Sequence, residues 1–137
     1  MRASLVLHRI LLVSALAGLA GCQEDPVDGP TVEVPSGREL SLIDVITNAP
    51  GPAGATARFR FLAPGLAPED ADTAPADMQA LCDTFALPRT DGMVPAPQQI
   101  VISFAGAAVP FGEAAPEVVQ FFESYRIENG ACIWEVF

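Results

Sequence analysis

Arg58, Arg60 and Arg126 are the side chains of this sequence best suited to hold a ligand. A guanidinium fork meets carboxylate or phosphate with two parallel hydrogen bonds. Strand alternation would put all three on one outer sheet face, where they would form an anion-binding site. The plainer reading of the same stripe is a solvated face balanced by acids such as Glu39 and Glu135. Glu69, Asp70, Asp72 and Asp77 gather acid at the start of a helix, and calcium takes several carboxylate oxygens. That run lacks the spaced acids, central glycine and closing glutamate of an EF-hand loop, so a capped, acidic helix start accounts for it. No metal site and no cofactor are assigned. Glu123 falls on an apolar face, where a carboxylate with a raised pKa is a candidate general acid. Paired-carboxylate hydrolysis needs a second acid across a cleft, and the sequence offers no partner. Ser41, Ser103 and Ser124 lack a base, because the only histidine is His8 and there is no lysine. A His-based triad, a His-liganded zinc site and a lysine Schiff base are therefore excluded from the mature chain. No G-x-S-x-G, phosphate-binding glycine loop or zinc spacing is present. With 17 acids against 7 arginines, the chain is not a basic nucleic-acid binder.

His8 lies in a segment that reads as removable. Residues 1–21 place Arg2 and Arg9 before a short apolar stretch, Ile10–Leu19, which Ser14 and Gly18 interrupt. This is the pattern of a secretory signal peptide, too short for a stable membrane span. Its end, Leu19-Ala20-Gly21-Cys22, resembles the lipobox of bacterial lipoproteins. Small residues let the backbone enter the signal peptidase, and the Cys22 thiol takes the diacylglyceryl group. The rival is an ordinary signal peptide that happens to contain a cysteine. Acyl chains contribute about 0.8 kcal/mol per buried methylene, which makes detachment negligible. Gln23 stands where aspartate favours inner-membrane retention in enteric bacteria, so the analogy points to the outer membrane, facing the periplasm.

Lipidation of Cys22 leaves Cys82 and Cys132, an even pair suited to an oxidising compartment. Closing the long loop between them with a disulfide contributes on the order of 4 kcal/mol, which matters for a small core. The alternative is two reduced, buried thiols. No C-x-x-C spacing points to a redox pair.

The side chains are positioned by elements that prolines and glycines separate. Removing residues 1–21 takes Arg2 and Arg9 with it, so the net charge moves from −10 to −12. Residues 22–36 read as an acidic, Pro-rich tether, and residues 37–137 as a single domain. The fourteen residues after Cys22, Gln23–Ser36, reach roughly 45–50 Å when extended. Glu39–Ile46 looks like a strand. Ala57–Leu62 alternates, with Ala57, Phe59 and Phe61 on one face and Arg58 and Arg60 on the other. Pro75–Leu87 is a helix with Met78, Leu81, Cys82 and Phe85 in one stripe. Asp72 or Thr73 would cap it, and Pro88 would end it. Gln99–Phe104 is a strand with Ile100, Ile102 and Phe104 inward. Asn129-Gly130 predicts a type I′ hairpin that pairs Tyr125 with Trp134 and Ile127 with Cys132. The segment Glu117–Tyr125 also fits a helical stripe, but strand is preferred from Phe121 onward. The loop Val109–Glu113 either offers a contact surface or folds back on the core.

These elements define an α+β fold, a small antiparallel or mixed β-sheet in the order β-β-α-β-β-β with one helix packed on one face. Parity alone does not fix the strand order. The runs VPSGRELSLIDVITNAPGP, RFRFLAP, DMQALCDTFALPR, VPFGEAAPE and QFFESYRIENGACIWEVF resemble an uncharacterised family of small exported proteins, a domain of unknown function, from Rhodobacter-type alphaproteobacteria. The resemblance covers nearly all of residues 34–137. It implies a Gram-negative cell envelope and carries over no functional residue. The expected function is a lipid-anchored envelope protein, touching the membrane through its N-terminal lipid, that acts as a non-catalytic binding module with an envelope protein as partner. The alternative is a small carboxylate-dependent periplasmic hydrolase.

Overall fold

Apolar side chains at alternate positions need a second layer to cover them, and here one helix supplies it. The computed structural model describes residues 27–136, and the expected signal segment, residues 1–21, and Cys22 lie outside them. The fold is α+β, a six-stranded mixed sheet with a single helical layer. The strands are β1 (Thr31–Glu33), β2 (Glu39–Ile46), β3 (Thr56–Leu62), β4 (Gln99–Ala105), β5 (Gln120–Glu128) and β6 (Ala131–Glu135). They lie side by side in chain order. All neighbours are antiparallel except β3 and β4, which run parallel. A parallel pair needs a long crossover, and the helical segment between β3 and β4 is that crossover.

Parity along β3, β4 and β5 assigns the two faces. Ala57, Phe59, Phe61, Ile100, Ile102, Phe104 and Tyr125 point to the helix and are buried. Met78, Leu81, Cys82 and Phe85 meet them from the other side. The Phe85 ring sits edge-on to Phe61 at 5.5 Å and to Phe59 at 6.3 Å. Each such buried side chain contributes roughly 1.5–3 kcal/mol of transfer free energy. Cys82 and Cys132 are joined by a disulfide that ties helix to β6.

The helical segment differs from the expected one at both ends. A 3₁₀ turn, Pro68–Asp72, leads into α1 (Ala74–Leu81), and neither Asp72 nor Thr73 caps it through a side chain. Instead the buried Asp77 carboxylate accepts hydrogen bonds from the Ser36 N–H at 3.0 Å and the Ser36 hydroxyl at 2.6 Å. After α1 the chain makes a π turn, Cys82–Ala86, and continues as α2 (Leu87–Arg89). Pro88 therefore sits inside the helical segment rather than ending it. The i→i+5 bond from the Leu87 N–H to the Cys82 carbonyl widens the turn before the proline, whose ring and missing N–H disfavour a regular one.

The N-terminal boundary also moves. Thr31–Glu33, expected within the tether, pairs with β2 as an edge strand. Val34 inserts into the core, which draws the preceding residues against the sheet. At the other end the hairpin has the expected register, Tyr125 opposite Trp134 and Ile127 opposite Cys132. Asn129 and Gly130 both have positive φ, 50° and 73°, as the type I′ turn requires. Residues from Gln120 onward are strand, not helix.

Candidate functional site

The helix covers one face of the sheet, and loops cover only part of the other. On this open face β3 contributes Arg58 and Arg60, β4 contributes Gln99, Val101 and Ser103, and β5 contributes Phe122, Ser124 and Arg126. The three arginines thus share a face, as their parity requires, but they do not converge. Arg60 donates to both oxygens of Asp44, at 3.0 and 2.8 Å, and to the Val109 carbonyl. Arg126 lies two strands away and pairs with Glu128 and Glu135. Hydrogen bonds donated to Glu128 and then to Glu135 push its pKa above the ordinary arginine value. Arg58 donates Nη1 to the Ala49 carbonyl and has no ion-pair partner among the described residues. A three-arginine anion site is therefore not formed. Two of the three charges are already matched by acids, and only Arg58 is left to meet a ligand.

Arg58 borders a hollow of about 850 Å³, walled by Pro52 and Ala53 on one side and Val136 on the other. Its floor is Gln99, Val101, Phe122, Ser124 and Glu135. The polar part of that floor is a closed network. The Thr56 hydroxyl donates to Gln99 Oε1, and Gln99 Nε2 donates to Ser124 Oγ at 2.7 Å and to Glu135 Oε2 at 3.3 Å. Thr56, Gln99 and Ser124 are buried, so the network fixes the floor rather than lying loose in solvent. Phe122 and Val136 are 53% and 77% exposed, large apolar groups left uncovered on this face. A second hollow of about 370 Å³ adjoins it across Phe122, lined by Arg60 and the loop Val109–Ala114. That loop folds back on the open face and not on the core: Val109 is buried, and Phe111 lies 5.9 Å from Arg58 and 5.7 Å from Arg60. Such cation–π contacts hold both guanidinium groups in place.

Sequence parity placed Arg58, Ser124 and Glu135 on this face but missed Phe122, Val101 and Gln99 as lining residues, and it put Val136 on the helix-side face, whereas Val136 borders the hollow. Alternation was a usable signal for Val101 and Gln99. Phe122 was hidden by the helical stripe that Val118, Phe121, Phe122 and Tyr125 also satisfy.

Of the other candidate residues, Glu123, Asp70 and Asp77 have structural partners. Glu123 lies on the helix-side face, where its carboxylate accepts the Trp134 indole N–H. Asp70 pairs with Arg38 at 2.7 Å. Among the described residues no three acids, cysteines or histidines gather as a metal site.

A family profile matches residues 13–137, and the chain belongs to that family, a family of unknown function (DUF6497). No curated protein and no solved structure matches it.

Proposed function

We propose that this is a lipid-anchored cell-envelope protein whose open sheet face is a non-catalytic binding surface. The observation that carries the binding part is the hollow beside Arg58, apolar in its walls and bounded by a cation without an acid partner. Ligand sites combine these features, a mostly apolar concavity with a few placed polar groups. The anchoring part rests on Arg2, Arg9, the apolar stretch and Leu19-Ala20-Gly21-Cys22, a run that falls within the family match. The outer membrane facing the periplasm is the proposed location, and an envelope protein remains a candidate partner. The hydrolase alternative has weaker support. Glu123 lines a small hollow beside the helix in which it is the only acid.

Two experiments test this reading. Cys22→Ser should abolish lipid labelling and leave the protein unprocessed or out of the membrane fraction. A variant that is still processed and membrane-bound would refute the anchor. For the face, a photo-crosslinking residue at Phe122 should form adducts in intact cells, whereas the same residue at Glu69 should not. Equal adducts at both positions would count against a binding face.

A further inference from the structure

The floor of the larger hollow is polarised along one line. Register sets Arg58, Val101, Ser124 and Glu135 side by side on β3, β4, β5 and β6. Three inter-strand steps make that row roughly 14 Å long. Its ends differ in charge state. Glu135 gives one oxygen to Arg126 and the other to Gln99, so its charge is matched within the protein. Arg58 commits Nη1 to the Ala49 carbonyl and meets no acid among the described residues. Its Nε and Nη2 hydrogens remain as a parallel pair, the spacing that fits the two oxygens of one carboxylate. Beside the polar Gln99, Ser124 and Glu135, which bond to one another, an apolar strip runs over Val101 and Phe122 to Val136. In a chain with 17 acids and 7 arginines, an arginine that faces a hollow instead of an acid marks where negative charge is received from outside.

We infer that the hollow binds a single-chain amphiphile with one carboxylate head, a ligand of the fatty-acid class. The head sits on the free edge of Arg58, and the chain lies across Val101 toward Phe122 and Val136. A single head follows from a single unmatched cation, and the chain from the apolar strip that Val101, Phe122 and Val136 form beside it. The inference rests on reading the open face as a binding surface and names what it takes.

The test uses envelopes carrying the full-length protein and a dodecanoate probe with a diazirine on its chain. After irradiation, mass spectrometry maps the label. Label should concentrate on the segments holding Val101, Phe122 and Val136, and dodecanoate should compete for it while dodecanol does not. Arg58→Gln should raise the competing dodecanoate concentration roughly tenfold or more, the effect of losing a charge-assisted hydrogen bond. Arg58→Lys, which keeps the charge without the fork, should fall between. Arg38→Gln, remote from the hollow, should match the parent. Resistance to limited proteolysis shows that each variant is folded; should Arg58→Gln be protease-sensitive, the Arg58→Lys comparison decides. Equal competition by dodecanol, no effect at Arg58, or label spread evenly over the surface would each overturn the inference. Protein adducts from the crosslinker at Phe122 without any dodecanoate labelling would overturn it too, yet leave the binding face standing. Absence of both would remove the binding face as well.

Discussion

Tyr125 is fully buried beneath the helix, and its hydroxyl has no hydrogen-bond partner. Burial raises its pKa above the ordinary tyrosine value, and the negative charges of Glu123 and Asp83 raise it further. In the unfolded chain the phenol ionises near its usual value of about 10. The folded state holds its proton to higher pH, so unfolding is favoured as pH rises past the unfolded value. Stability should be level just below that pH and then fall by about 1.4 kcal/mol per pH unit until the folded-state pKa is reached. The chain has one tyrosine and no lysine, so this slope is readable against a clean background. Tyr125→Phe should remove it in urea titrations at alkaline pH. At neutral pH the same change should be neutral or stabilising by up to about 1 kcal/mol, because it deletes an unsatisfied buried hydroxyl. A clear loss at neutral pH would mean that the hydroxyl has a partner. Trp134 is the contrasting aromatic. Parity puts it beside Tyr125, but β6 is the edge strand and leaves it 53% exposed. Trp134→Ala should cost only about 1–2 kcal/mol, against about 3–5 kcal/mol for the fully buried Phe59→Ala. The sequence pattern identified the face correctly. It could not tell how far the helix reaches across it.

At the scale of elements, the hairpin was legible because two independent signals agree on it. Asn129-Gly130 fixes the turn, and the apolar alternation on both sides fixes the same register. The strand β1 was not legible. Three residues, Thr31–Glu33, lie between Pro30 and Pro35 in an acidic stretch, and short edge strands carry little pattern. What holds β1 down is backbone proximity. A Cβ placed on Gly29 would lie 1.7 Å from the Leu42 carbonyl oxygen, so the chain must shift to admit any side chain there. Leu42 also donates its N–H to the Pro30 carbonyl at 3.0 Å, and that contact would be strained by the shift. Gly29→Ala should therefore lower stability by about 1–3 kcal/mol and raise protease cleavage in residues 27–35. Unchanged cleavage would show that β1 is not docked in solution. The disulfide is the complementary case at the other end of the sheet. Cys82 sits where α1 passes into the π turn, and Cys132 on the outermost strand, so their bond closes a 50-residue separation. Its reduction should lower stability by on the order of 4 kcal/mol, read from urea midpoints with and without reductant. Intact mass after alkylation should show no free thiol at either position; two alkylated thiols in the unreduced protein would refute the bond.

The molecule as a whole is asymmetric about its sheet, and β4 shows the asymmetry within one strand. Ile100, Ile102 and Phe104 are sealed under the helix, while Val101 between them looks into the hollow. Hydropathy does not distinguish these neighbours, since Ile100, Val101 and Ile102 form one apolar run. Alternation separates them by face, but only the segments bordering the open face decide that Val101 lines a hollow. Strand order was hidden for a similar reason. Alternation states which face a residue takes, but only the crossover between β3 and β4 makes that pair parallel and places it at the centre. A substitution pair separates the two roles. Ile102→Asp puts a carboxylate in an apolar layer with no partner, a change that costs several kcal/mol, a large share of the roughly 5–15 kcal/mol that small domains have. Val101→Asp puts the same charge in the hollow, where water reaches it, and should lower stability by only about 1 kcal/mol. It would also set a negative charge beside Arg58 and match the one cation left free on that face. The first variant should fail to accumulate as a protease-resistant domain. The second should accumulate normally and lose its photo-crosslinks at Phe122. If Val101→Asp proves as damaging as Ile102→Asp, the open face is a second core surface that something covers permanently, and it is not a site that opens to a ligand.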